Sequence, residues 1–188
     1  MKKLLVLLAE GFEEVEALTI VDVLRRANLG CDMCSLDKEY VKGTHNIEIK
    51  ADVNIKEIKA DDYDGVALPG GLPGAYNLRD SEDVANLVKE FNKNNKIIAA
   101  ICAAPEALES FGLLENKSCT SYPGFVQNKE KVNYIEDKVV VEDGNIITSR
   151  GPATAIEFAL TILKKLGYEK EYKDIREGML VNFYNEFK

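Results

Sequence analysis

Histidine is nearly missing from this chain: His45 is the one example in 188 residues. That scarcity removes most metallohydrolase arrangements, which draw on several imidazoles. It also limits any Cys-His or Ser-His scheme to a single base. Positive charge is short as well. Lys and Arg total 24 against 32 Asp and Glu, a formal charge of −8. No large basic field exists to hold a phosphate backbone, so no stable nucleic-acid partner is expected. Long apolar runs are absent. Residues 4–9 are too few for the core of a secretion signal, and acidic residues follow at once. Nothing approaches the ~20 apolar residues of a membrane helix, so no membrane partner is expected. Four cysteines in this length do not suggest a disulfide scaffold, and a reducing cytoplasm is the expected location.

What is present reads as an ordinary globular domain, with 46% apolar and 30% charged residues. Short apolar runs alternate with longer periodic ones. Residues 4–9 read as a fully buried parallel strand. Residues 13–27 follow as a helix with a stripe of Val15, Leu18, Val21, Val23 and Leu24, ended before Gly30. Residues 31–36 form a second strand. Residues 47–49 and 52–55 suggest a small hairpin or an edge feature. A strand at 65–68 runs into Pro69-Gly70-Gly71, and Ser81 is placed to cap a helix reaching Asn94. A buried strand over 96–101 leads to a helix over 103–111. Residues 139–141 and 146–148 flank Glu142-Asp143-Gly144-Asn145, a hairpin signal. Pro152 opens a helix with buried Ile156, Ala159, Leu160 and Leu163, ending at Gly167, and the tail from Glu169 to Phe187 is helical in part. This alternation predicts an α/β fold, a three-layer α/β/α sandwich with a mostly parallel sheet, as one domain over 1–188.

The segment Lys96-Ile97-Ile98-Ala99-Ala100-Ile101-Cys102-Ala103-Ala104-Pro105 carries the chemistry. A buried strand runs into small residues and then a helix, which puts Cys102 at a sharp strand-to-helix turn like that of a nucleophile elbow. Pro105 suits the first helical turn. A helix N-terminus there offers free N–H groups and a field that favours thiolate. Residues 9–11, 69–71 and Cys102 all fall at carboxyl ends of strands, where open α/β sheets build their sites. The local pattern alone fits a buried structural cysteine equally well.

Four ordered motifs extend this reading over almost the whole chain. They are Ala9-Glu10-Gly11-Phe12-Glu13-Glu14-Val15-Glu16, continued by Val21 to Ala27; Leu68-Pro69-Gly70-Gly71; Ala99 to Pro105; and Thr148-Ser149-Arg150-Gly151-Pro152. Together they resemble the ThiJ/PfpI superfamily, in the subfamily that holds the parkinsonism-associated deglycase-like protein and bacterial YajL. The resemblance implies a flavodoxin-like, class I glutaminase-like fold. It implies Cys102 and Glu16 as the catalytic pair, with Glu16 protonated and donating to the thiolate. The backbone N–H groups of Gly71 and Ala103 become the oxyanion-hole donors. Glu13, Gly70, Tyr122, Arg150 and Pro152 line the pocket. A homodimer forms through the first helix, with contacts from Val15 and Arg26.

The bland alternatives are concrete. Glu16 also reads as a first-turn acid favoured by the helix field, and Glu13 and Glu14 are expected to be solvated for that reason. Pro69-Gly70-Gly71 reads equally as a tight turn. The physics of a carboxyl beside a thiolate agrees with the resemblance, since burial and like charge raise its pKa and the two groups titrate as a couple.

One departure selects within the superfamily. Tyr122, in Thr120-Ser121-Tyr122-Pro123, stands where many members carry a histidine near the cysteine. A phenol of pKa ~10 is a poor base at neutral pH but a hydrogen-bond donor. His45 falls in the segment 42–49, where the human-like subfamily has an arginine, and is expected at the surface or an interface. The chain is therefore not expected to be a Cys-His protease.

The remaining cysteines offer little. Cys31 and Cys34 have C-x-x-C spacing, but residues three apart on a strand face opposite ways. Cys119 falls in a short strand over 117–120. No zinc set forms from these spacings, and no metal is expected. Gly70-Gly71-Leu72-Pro73-Gly74 lacks the phosphate-loop and dinucleotide patterns, so no ATP, NAD or flavin cofactor is expected.

Two functions follow. The first is a glyoxalase or deglycase-type hydrolase, acting on methylglyoxal or its early adducts through a Cys102 hemithioacetal. The second is a redox-sensing, chaperone-like oxidative-stress protein whose Cys102 oxidises. Proteins of this kind are often labelled as thiazole monophosphate biosynthesis proteins, but no motif here supports that synthesis.

Overall fold

The computed structural model describes residues 2–186. Its strands are β1 (Lys3–Leu8), β2 (Gly30–Ser35), β3 (Tyr40–Lys42), β4 (Glu48–Lys50), β5 (Val53–Asn54), β6 (Gly65–Leu68), β7 (Ile97–Ile101), β8 (Ser118–Cys119), β9 (Asn133–Tyr134), β10 (Val140–Asp143) and β11 (Ile146–Ser149). The helices are α1 (Glu14–Arg26), α2 (Gly74–Arg79), α3 (Glu82–Lys93), α4 (Pro105–Ser110), α5 (Ala155–Lys165), α6 (Glu169–Gly178) and α7 (Val181–Glu186).

A seven-stranded sheet in the order β10-β11-β7-β6-β1-β2-β5 forms the middle layer. Every pairing in it is parallel except β10 with β11. The strands alternate their side chains between two cores. Leu4, Val6 and Leu8 share one face with Ile97, Ala99 and Ile101, covered by α1 and α5. Leu5, Leu7 and Ala9 share the other with Ile98 and Ala100, covered by α3 and α4. A strand segment covered on both sides must be apolar at every position, which is why residues 4–8 of β1 and all of β7 read as unbroken apolar runs. The architecture is the expected three-layer α/β/α sandwich.

Four local expectations need correction. In α1 the buried face comprises Glu14, Glu16, Ala17, Ile20, Val21, Val23 and Leu24. Val15 is 53% exposed and Leu18 half-buried. The helix packs along the spacing 16, 17, 20, 23, 24, and Val15 and Leu18 fall on the opposite side. Ile156 of α5 is likewise exposed, because Ala155, Phe158, Ala159 and Ile162 carry the contact. The stretch 47–55 divides between two sheets. β4 pairs antiparallel with β3, while β5 joins the edge of the main sheet beside β2. Gly43 and Asn46, the latter at φ 65°, make the β3–β4 turn, which the apolar pattern does not mark. Finally, α4 begins at Pro105, because Ala103 and Ala104 still belong to the turn.

The tail is helical, as α6 and α7; the expected end at Phe187 lies outside the described residues. Among the described residues, no helix is long and apolar enough to cross a membrane.

Candidate active site

Cys102 sits where β7 stops, in the left-handed region at φ 63°. For a side chain other than Asn or Gly that conformation is costly, and it persists where neighbours over-determine it. Both ends of the residue are held. Its N–H donates to Ser149 O at 3.0 Å, and its carbonyl accepts from Tyr122 N–H at 2.8 Å. The thiol is turned out of the strand towards the loop after β6. The other three cysteines are buried, and Cys102 is partly exposed.

Glycine is required opposite the thiol. A Cβ on Gly70 would lie 2.6 Å from Cys102 Cβ, 2.9 Å from Glu16 Oε2 and 3.0 Å from Ala103 N. Gly71 adopts φ 87°, which bends the loop back over the site. Gly70 N–H donates to Glu16 Oε2 at 2.7 Å, and Glu13 N–H donates to Gly70 O at 2.9 Å. The start of α1 thus fixes the glycine loop from both sides of one residue.

Glu16 is fully buried. Burial pushes its carboxyl up to about 7; the Gly70 N–H and the Cys102 thiol draw it back, and the Glu13 charge adds to the rise. Its Oε1 is buried with no hydrogen-bond partner. The Cys102 thiol is pushed up to about 12, first by burial and then by the Glu16 charge. The Ala103 and Gly71 N–H groups act against that rise. The Glu16 contribution exists only while Glu16 is ionised. With a proton on Glu16, the repelling carboxylate becomes a donor, and the negative charge is free to move to sulfur. The helix field expected to favour thiolate is slight, because α4 has six residues and starts at Pro105. The neighbouring backbone N–H groups act in the same direction as that field, and burial and the Glu16 charge outweigh them.

The other expected pocket residues lie at different depths. Tyr122 is tied to Cys102 through its main chain, and its half-exposed ring packs edge-on against Phe125 with centroids 6.1 Å apart. Arg150 directly follows Ser149, but its guanidinium turns to Glu136 O at 2.8 Å and Thr120 Oγ1 at 3.4 Å. Pro152 is exposed and opens a short turn of 3-10 helix, Pro152–Thr154. Arg26 is exposed and pairs with Asp22 at 2.8 Å.

Sequence reasoning missed one arrangement beside the site. Glu14, expected to be solvated, is only 4% exposed. The β3–β4 turn folds over the start of α1, and backbone N–H groups of His45 and Ile47 donate to Glu14 Oε1 at 2.7 and 3.4 Å. His45 Nδ1 lies 2.9 Å from Glu14 Oε2. Burial alone would raise the Glu14 pKa, but these hydrogen bonds outweigh it and hold the carboxyl below its ordinary value. The contact spans 31 residues, and no local pattern signals it.

Cys31 and Cys34 point to opposite cores, as strand alternation predicts. Burial pushes Cys31 and Cys34 up to about 12 and Cys119 up to about 11.

Comparison with known proteins agrees with this geometry. A profile described as the DJ-1/PfpI family matches residues 2–165. Protein dj-1beta of Drosophila melanogaster is 41% identical over 184 residues, covering 97% of this chain and 98% of the relative. The Parkinson disease protein 7 homolog of Danio rerio is 41% identical over 170 residues, covering 88% and 89%. The crystal structure of Drosophila DJ-1beta superposes with a TM-score of 0.91, covering 96% of this chain and 98% of that one. An oxidised form of Toxoplasma gondii DJ-1, 36% identical, superposes at 0.88 over 96% and 98%. With a buried acid, a strained cysteine and a glycine loop arranged on such a fold, the chain belongs to the DJ-1/PfpI family.

Proposed function

We propose that this protein is a cysteine-dependent glyoxalase or deglycase-type hydrolase. The observation that carries the reading is the close packing of Gly70 on Cys102, Glu16 and Ala103 N, which gathers nucleophile, acid and backbone donors at one point. Cys102 sulfur adds to the aldehyde carbon of methylglyoxal or of its early adduct with an amine or thiol. The carbonyl π pair moves to oxygen, where the Gly71 and Ala103 N–H groups meet the charge. Glu16 delivers its proton to that oxygen, and a hemithioacetal results. For free methylglyoxal, the Glu16 carboxylate then takes the proton of the former aldehyde carbon as the ketone oxygen is protonated, giving an enediol; return of a proton to the former ketone carbon and loss of the hydroxyl proton from the sulfur-bearing carbon give a thioester. Water releases lactate and restores the thiol. One carbon is oxidised as its neighbour is reduced, so the sum is addition of water and needs no outside oxidant.

The test is lactate formation by the purified protein from methylglyoxal. Cys102→Ser is expected to lower the rate to background; full activity in that variant sinks the proposal.

A second reading rests on exposure. Cys102 alone among the four thiols is not buried, and the donors around it suit an oxidised sulfur. One similar structure is described as an oxidised form. After mild peroxide, intact-mass and peptide analysis is expected to find sulfinate on Cys102 before any of Cys31, Cys34 and Cys119. Equal oxidation of Cys119 removes the sensor role. Four unpaired thiols support a reducing, cytoplasmic location. The exposed Val15 near the start of α1 and the exposed Arg26 at its end support a homodimer built on α1.

A further inference from the structure

The proposed chemistry gives the Tyr122 side chain no role, yet its ring belongs to a continuous row of three. The Tyr122 and Phe125 centroids are 6.1 Å apart with planes at 72°, and those of Phe125 and Tyr76 are 6.5 Å apart at 38°. Both spacings fall where aromatic pairs attract. The row bridges the two segments that flank Cys102. Tyr122 and Phe125 share a turn, closed by the Phe125 N–H on Tyr122 O at 3.2 Å. The Tyr122 N–H on Cys102 O at 2.8 Å anchors that turn to the elbow. Tyr76 lies in α2, which comes just after the Gly70-Gly71 loop.

The rings are held in place without being used up. The Tyr122 ring rests over Gly151, where a Cβ would lie 3.5 Å from its Cδ2. The Arg79 guanidinium lies 4.7 Å from the Tyr76 centroid. Asp80 at 2.7 Å and Glu106 at 2.9 Å already meet its charge, so it stiffens the ring. Tyr122 stays 49% exposed, Tyr76 37%, and Leu72 between the loop and α2 43%. Exposed apolar groups gathered at a reactive centre mark a binding surface more than singly scattered ones do.

The shape of the site directs a substrate towards this row. Gly70 packs against Cys102, Glu16 and Ala103 N and closes the inner wall. A group carried on the ketone carbon of a bound α-oxoaldehyde therefore points outward. On one flank, the start of α1 and the β3–β4 turn bring Glu13, Glu14 and His45 together, and an apolar group would strip water from those charges. The other flank carries α2, whose Leu78 packs in the core on the side of the sheet away from α1.

We infer that Tyr76, Tyr122 and Phe125 form a specificity rim that takes an aromatic or extended apolar substituent, so that aryl-substituted α-oxoaldehydes are preferred to methylglyoxal. The inference rests on the glyoxalase reading and adds its substrate class. An aryl group joins the row edge-on or offset. The reaction keeps its balance: phenylglyoxal takes up one water, the aldehyde carbon becomes a carboxylate, the ketone carbon becomes an alcohol, and mandelate leaves.

The test compares initial rates with phenylglyoxal and methylglyoxal on the same preparations. The natural protein is expected to show the higher kcat/KM with phenylglyoxal. Phe125→Ala and Tyr76→Ala are each expected to lower the phenylglyoxal-to-methylglyoxal ratio at least about fivefold, through KM. Tyr122→Phe keeps the ring and is expected to keep the ratio. Loss of folded protein lowers both rates together, so the ratio reads the rim alone. A preference for methylglyoxal, or a ratio that stays within about twofold in either alanine variant, overturns the inference. Binding is read separately by calorimetry on Cys102→Ser protein, where mandelate is expected to bind at least about fivefold more tightly than lactate. Mandelate that binds no better than lactate also overturns it. Absence of turnover of both aldehydes with mandelate still preferred removes the glyoxalase reading and leaves the rim, so the two failures are distinguishable.

Discussion

At the scale of single residues, Glu16 stores a pH dependence. Its ordinary value is 4.5, and in the fold burial lifts it to about 7. Between those values the native state keeps a proton that the unfolded chain has lost. Stability therefore falls as pH rises through that window. The full shift corresponds to at most about 3–4 kcal/mol. Glu16→Gln removes the proton but keeps an acceptor for Gly70 N–H. Urea unfolding across pH 4.5–8 is expected to show the variant gaining on the natural protein as pH rises. Parallel pH profiles would mean that Glu16 titrates like an exposed carboxyl. Glu16 and Cys102 were legible in the sequence because motifs fix which residues meet there. Glu14 with His45 was not, since a helix-start acid looks the same whether solvent or a distant turn covers it.

At the scale of elements, burial on both faces makes strands easy to read and amphipathic helices harder. β6 and β7 stand out because every position is apolar, and β1 because every position after Lys3 is. α1 carries apolar residues on two sides, and nothing local says which side the sheet takes. Only packing against α5 separates Ile20 and Leu24 from Val15 and Leu18. The two-residue strands β8 and β9 are too short to leave a periodic trace. Helix caps are more direct. Ser81 accepts from Val84 N–H at 3.3 Å, satisfying a free donor in the first turn of α3. Ser81→Ala is expected to cost about 1 kcal/mol in thermal or urea unfolding, with no change in lactate formation. An unchanged midpoint would show that water replaces the cap at no cost.

At the scale of the whole molecule, the uncovered side of α1 bears on assembly. Val15 is exposed in the single chain, so Val15→Arg leaves the core untouched. Sedimentation is expected to give a dimer for the natural protein and a monomer for this variant, with unfolding changed by less than about 0.5 kcal/mol per chain at high dilution. A natural protein that sediments as a monomer removes the proposed interface. The order of the seven strands has a further consequence for association. At one margin β5 offers only two residues for pairing. At the other, β10 ends in Glu142 and Asp143, and Lys117 crosses to Asp143 at 3.1 Å. Short or charged margins deny a second chain the continuous ladder that fibres need. Growth by adding strands is disfavoured on both flanks, which accords with the proposed closure of two copies through α1 instead of propagation.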